Sequence, residues 1–486
     1  MIKIMKAMKQ ETHTSSYINK VLSVFPQFLM IIILSACLIS CEKVLDQEPK
    51  NEVDEEFAIT DLKGAQAAVA GLYNQLQDQN YYGRNFQIMS DVSTDQAQSI
   101  GTWDFYREMD TYQISTGNTE SGNFYSRANK TIFVANTIFT KVPPIASIPD
   151  AQKKVMYGHA HFVRALALFD LTRVFGGIPN VVGTIGMPVV TTIPPPGVID
   201  YPTRTTLDAT YSAIENDLLK ALDFLPESSV RSQASKGAAR ALLSRLYLYL
   251  GRNEDAVIYA TQVINDKPRY LLIGSFSSIF TGKLTDESVF ELTYNTADQS
   301  GIRNWYYPTT AGGRGDIACH TSFVNKAKAD PKDERGTLFA LAAANVYYPT
   351  KFGKTSGNID NIPVIRIAEM YLNRAEAKAK IGTDLQGAID DLNAVRTRAK
   401  ANPVFPVGRQ AILQAIWDEE QLEFAYEGHS LFDYVRTGQS LTKLVDLPRL
   451  NSPTSVSLPS LPRVLFPIPL FEINANTNIE QNEAYR

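Results

Sequence analysis

Three cysteines are spread over 486 residues, at Cys37, Cys41 and Cys319. That is too few for a disulfide framework, so stability has to come from a buried core. Histidine is scarce as well, with five in all. The one close pair, His159 and His161, is spaced i, i+2, which sends the rings to different faces of a helix and argues against a shared metal site. Cys319 and His320 are neighbours in sequence, which does not make a nucleophile and its base. There is no G-x-S-x-G, no H-E-x-x-H and no paired Cys or His ligand spacing, so the usual signals of a hydrolase are missing. A basic run is also absent and the formal net charge is -4, which argues against a nucleic-acid partner. The glycine cluster GGRG (312–315) lacks the Lys-Ser/Thr of a P-loop and reads as a flexible turn. No catalytic residue, no cofactor and no metal is expected.

What the chain has is apolar mass and helical period. With 44% hydrophobic residues it can bury a large core, and length alone would allow two to four domains. Residues 1–40 read as an export signal, in which lysines lead into the short apolar run FLMIIILSACLIS. Residues 41–57 are acidic and weakly apolar, as a solvated tether would be. From residue 58 on, amphipathic helices dominate. The first starts near Thr60 with a stripe of Leu62, Val69, Leu72, Tyr73 and Leu76. Further helices are expected over 127–141, 151–175 and 206–224.

Two helical hairpins share one design. In 235–266 Gly251 ends one helix and Asn253 caps the next. In 363–400 Gly382 ends a helix whose stripe is Ile367, Tyr371, Ala375 and Ala379, and Thr383 with Gln386 forms a capping box for the next. Such hairpins stack in the manner of tetratricopeptide repeats, although the tetratricopeptide consensus is absent. A third helix follows, with Ile416, Trp417 and Phe424 on its buried side. Glu420 falls on that side and Glu423 lies beside it, so an ion-pair network with Arg396, Arg398 or Arg436 is expected rather than acid-base chemistry.

Two stretches break the helical period, about 80–126 and 270–363. Both are rich in Gly, Asn, Ser and aromatic residues, and a short strand is expected at ESVFELTYN. The fold class is therefore mainly α, with tetratricopeptide-like hairpins forming one body, long irregular loop insertions and few short strands.

The blocks RIAEMYLNRAEAKAKIG, AVRTRA and EEQLEFAYEGHSLFDYVRTG resemble the C-terminal signature of the SusD/RagB family of surface nutrient-binding lipoproteins. VRALALFDLTRVFGGIPNV, KGAARALLSRLYLYLGRNEDAVIYATQVI and the ending FPIPLFEINANTNIEQNEAYR resemble further family blocks in family order. The resemblance implies one SusD-like domain over 58–486 and attachment to the outer membrane through a lipid on a cysteine. Cys41 is favoured because CEKVLDQEP resembles the family's mature start, although Cys37 has the better lipobox by residue type. It also implies a SusC-like TonB-dependent transporter as partner, and a glycan, or within the family a peptide, as ligand. A site for either needs aromatic faces ringed by polar groups. Of the three tryptophans, Trp417 belongs to a core helix. Trp103 and Trp305 stand in the two irregular stretches, which makes Trp103, Phe105, Tyr106, Asn304, Trp305, Tyr306, Tyr307 and Arg314 the candidate ligand-binding residues. An exported hydrolase and a ligand-free helical adaptor are the competing readings.

Overall fold

Small side chains on the helix faces set the architecture, because alanine lets two helix axes approach closely. The structure is a computed structural model that describes residues 59–195, 197–353 and 357–486. The signal, the tether, Cys37 and Cys41 lie outside the described residues. Ile59–Arg486 form one unit, built on the long helices α1 (Leu62–Gln77), α2 (Thr119–Lys141), α3 (Asp150–Leu171), α4 (Leu207–Phe224), α5 (Lys236–Tyr249), α6 (Asn253–Ile264), α7 (Ile367–Ile381), α8 (Leu385–Arg398) and α9 (Arg409–Glu423). Each packs on the next in order from α1 to α9, and α7 also touches α5 and α9. This is the stacking of helical hairpins expected from the repeated design. At α7 the small side chains Ala368, Ala375 and Ala379 are fully buried.

Local chemistry fixes most helix starts. The side chains of Asp61, Asn118, Thr206 and Ser235 accept from the amides of Gly64, Ser121, Ala209 and Ala238, each satisfying one of the orphan donors of a first turn. Two expected caps are different. Asp384, not Thr383, caps α8 by accepting from Gly387 N at 2.9 Å, so the capping box does not form. Asn253 is the first residue of α6 and makes no cap. Gly382 does end α7, in the left-handed region at φ 86°, which glycine adopts without strain.

The two irregular stretches are shorter on loop than the sequence indicates. Asn85–Val92 and Asp104–Asp110 are helical, and α2 starts at Thr119 rather than Arg127. Every residue of Asn85–Val92 is buried, so the segment has no polar face and no period to detect. In the second stretch lie strands β2 (Ser288–Leu292), β3 (Ile317–Cys319), β4 (Phe339–Ala343), β5 (Val346–Pro349) and β6 (Ile362–Arg366). With β1 (Ala97–Ser99) they form an antiparallel sheet ordered β1-β3-β5-β4 and a separate β2-β6 pair. The strand at 288–292 is buried on both faces. Its Glu291 is held there by Leu284 N, Ser288 and Asn361.

Along α9 the expected ion-pair network is present and larger than expected. Glu423, fully buried, meets Arg366 at 2.6 Å, Arg335 at 3.3 Å and Arg398. Arg366 also holds Glu427 at 2.8 Å, and Arg335 and Arg396 share Glu419. Glu420 meets Arg436 at 3.0 Å, on a guanidinium that also serves Glu376 and Asp433. Trp417 sits half-buried at the edge of the α7-α8-α9 cluster rather than inside it.

Candidate functional site

The pairing of β1 with β3 aligns Ala97 with Cys319 and Ser99 with Ile317, and so brings the two irregular stretches together. Beyond the last pair, Ile100 N and Gly101 N donate to Asp316 O at 2.8 and 3.0 Å, and Asp316 N donates to Trp305 O at 3.0 Å. Trp103 and Trp305 therefore come to one place, bridged by Phe105 and Arg314, though they are 202 positions apart. The GGRG turn closes the junction, with Gly312 and Gly315 both in the left-handed region, a conformation that excludes most other residues. It sets Arg314 N on Asn304 O at 2.6 Å.

The result is a ladder of rings and guanidinium groups. The Arg314 guanidinium lies 4.4 Å from the Trp305 ring and 5.3 Å from the Trp103 ring, and Asp316 grips it at 2.7 Å. Phe105 stacks on Trp103 at 5.6 Å and meets Trp305 edge-on at 5.9 Å. Arg84 covers Trp305 at 5.0 Å and is itself held by Glu120 at 2.7 Å.

The candidates separate by exposure. Trp103 is 47% exposed, whereas Trp305 is 6% exposed. Tyr106, Tyr306 and Tyr307 are buried too, and their hydroxyls donate inward to Asn85, Asp91 and Phe352 O. These four rings have no free face to stack on a ligand, so they support the site rather than touch what binds it. Burial pushes the Tyr106 and Tyr306 hydroxyls well above their ordinary range. Arg314 is exposed, and Phe105 and Asn304 are half-buried.

On the Arg84 side the ladder borders an open polar cleft of about 650 Å³ lined by Asn74, Gln75, Asp78, Gln79, Arg127 and Asp298, among others. Arg127 pairs with Asp78 at 2.9 Å and with Gln75 at 2.8 Å. Such a wall offers fixed donors and acceptors in balanced charge, suited to hydroxyl groups more than to a net charge. On the Trp103 side Asn451 Nδ2 donates to Gly101 O at 3.2 Å, next to an exposed Leu450. None of these cleft or rim residues follows from reading the tryptophans. The run NQLQDQN (74–80) was a signal for the cleft, since carboxamides crowd the end of an otherwise amphipathic helix. Leu450 and Asn451 carry no comparable signal.

His159 and His161 lie apart from this site. His159 takes Tyr73 OH at 2.6 Å and His161 pairs with Asp217 at 2.7 Å. Burial lowers His159 to about 4, so it is neutral. Cys319 is buried in β3, and burial pushes its thiol far above the reactive range.

Comparison with known proteins bears on family and fold. The sequence model described as starch-binding and associating with the outer membrane matches residues 43–248, and that of the SusD family matches residues 321–485. SusD-like protein P2 of Formosa agariphila is 25% identical over 466 aligned residues, which cover 84% of this chain and 90% of that protein. A SusD superfamily structure from Bacteroides thetaiotaomicron superposes with a TM-score of 0.76 at 27% identity, covering 87% of this chain and 99% of its own. A putative sugar-binding protein from Bacteroides vulgatus does so with a TM-score of 0.76 at 26% identity, covering 88% and 100%. Matched at both ends by models of one family, and sharing the fold of solved members along its helical body, the chain belongs to the SusD/RagB family.

Proposed function

We propose that this protein is a surface lipoprotein of the outer membrane that captures a glycan on the Trp103 rim and delivers it to a SusC-like TonB-dependent transporter. One observation carries the reading: Trp103 presents a large exposed indole at one end of an ordered ladder whose other end, at Arg84, borders a polar cleft. A pyranose needs this combination, with its C–H face against an aromatic ring and its hydroxyls on carboxamides and ion-paired carboxylates. The match to a family described as starch-binding and the likeness to a sugar-binding protein of Bacteroides vulgatus support a sugar over a peptide.

Isothermal titration against a panel of neutral oligosaccharides and a panel of short peptides tests the ligand class. Binding is expected among the glycans, which should be recovered intact because the role is capture and not hydrolysis. Binding confined to peptides, or cleavage of a bound glycan, would overturn the assignment.

Attachment rests on Cys41. One diacylated cysteine, itself carrying more than a single acyl chain, is enough for stable anchoring. Cys41→Ala should move the protein from the membrane fraction to the soluble fraction with its fold intact. Retention in the membrane until Cys37 is also replaced would place the lipid on Cys37.

A further inference from the structure

The segment that carries Trp103 is a closed loop, and its closure is a buried contact outside the recognition surface. Ser99, at the end of β1, donates its amide to Asp110 Oδ2 at 3.1 Å. The carboxyl of Asp110 thereby joins the two ends of Ser99–Asp110, with Trp103 near the apex. Arg449 reaches the same carboxyl from the far end of the chain, Nε to Oδ1 at 2.9 Å. Its other nitrogens donate to Ala97 O at 2.8 Å and Thr94 O at 3.0 Å. Both residues are interior, Asp110 at 1% and Arg449 at 5% exposure.

Arg449 belongs to the hairpin closed by the Leu447–Val456 bridge. That hairpin is seated by Leu450 N on Gln98 Oε1 at 2.8 Å and by Asn451 on Gly101 O. One guanidinium thus fixes three things at once: the start of β1, the foot of the Trp103 loop, and the hairpin whose Asn451 bonds Gly101, two residues before Trp103.

We infer that Asp110 and Arg449 form a buried latch that positions Trp103 and seats the Leu447–Val456 hairpin next to it, making Leu450 and Asn451 part of the same recognition rim. The inference rests on the glycan-capture reading for its purpose, but not for its geometry. Closing a loop at its foot removes most of the freedom at its apex, so ring orientation is set before a ligand arrives. The two residues are positioning residues, since neither touches the rim surface.

The latch is also built to respond to protonation. Nε and Oδ1 meet without hydrogen-bond alignment, and burial pushes the Asp110 carboxyl up to about 7 against the pull of Arg449 and Ser99 N. Three other titratable groups surround the pair: Asp95, bonded to Tyr434 OH; Tyr112, whose hydroxyl donates to Ser93 O and also faces Arg449; and His320, bonded to Pro448 O and Ser322. As pH falls through about 7, Asp110 takes up a proton and Arg449 loses its ionic partner.

The test uses the full chain labelled with 5-fluorotryptophan, which gives one ¹⁹F resonance for each of the three tryptophans, assigned by single Trp→Phe changes. Arg449→Met and Asp110→Ala are expected to shift or broaden the Trp103 resonance by more than its linewidth while the Trp417 resonance stays in place. The wild-type Trp103 resonance should move as pH is lowered from 8.5 to 5.5. Asp110→Asn, which keeps an acceptor for Ser99 N and loses only the charge, should hold it at the low-pH position throughout. A Trp103 resonance indifferent to Arg449→Met and Asp110→Ala, one that moves only together with Trp417, or a wild-type resonance that ignores pH would overturn the latch. A chain that passes this test and binds no glycan would defeat the functional reading and leave the latch standing.

Discussion

Glu423→Gln is expected to destabilise the fold by about 3 to 5 kcal/mol, the cost of leaving buried charges without their partner. Glu420→Gln, three residues earlier on the same helix, is expected to cost less, about 1 kcal/mol, the order of one hydrogen bond whose acceptor glutamine retains. Both side chains are buried, so exposure does not separate them. Their partners do. Glu423 stands among Arg366, Arg398 and Arg335, whose combined charge overcomes burial and holds its carboxyl down at about 2. Glu420 has one bond to Arg436, and Glu376 and Asp433 draw on the same guanidinium. Burial therefore wins at Glu420 and raises its carboxyl well above the ordinary range, so the charge is held less firmly there than at Glu423, and glutamine keeps an acceptor for Arg436.

The sign of the pH dependence follows. A carboxyl depressed from 4.5 to about 2 contributes stability that is fully present above about 4.5 and is lost as pH falls toward 2. Urea midpoints of wild type and Glu423→Gln should thus differ widely at pH 7 and converge by pH 2 to 3, with Glu420→Gln close to wild type at pH 7. Equal losses for the two variants at pH 7 would show that the charges in this core are not divided in this way.

Helices with one polar face were legible in the sequence, down to stripes such as Val69, Leu72, Leu76 and the left-handed stop at Gly382. Asn85–Val92 was not, because a segment buried on every side has no period to betray it. The exchange of Thr383 for Asp384 as the cap of α8 has a similar cause: neighbouring polar residues compete for one amide, and only the local φ and ψ decide.

At the candidate site, residue type singled out two stretches that the fold brings together, and gave no information about which faces stay open. Trp103 and Trp305 were equal candidates by composition. β1-β3 pairing brings them to one place, and Arg84, Phe105 and Tyr106 then cover Trp305 while leaving Trp103 open. Arg449, which fastens the site from near the C-terminus, had no signal at all, since a lone arginine in a Pro- and Ser-rich stretch looks like any surface residue.

Trp103→Ala should therefore lower glycan affinity about thirtyfold, close to 2 kcal/mol, as expected for truncating a central aromatic anchor. It should leave the melting temperature unchanged, because nearly half of the indole faces solvent. Trp305→Ala is expected to act the other way round. Emptying an interior indole site costs about 3 to 5 kcal/mol of stability, and any loss of binding should follow from the displaced Arg314 and Phe105. Titration of Trp103→Ala with a glycan that the wild type binds, read beside its melting curve, tests the central claim most directly. A thirtyfold loss at an unchanged melting temperature is the predicted result, and unaltered affinity in a folded Trp103→Ala protein would contradict it.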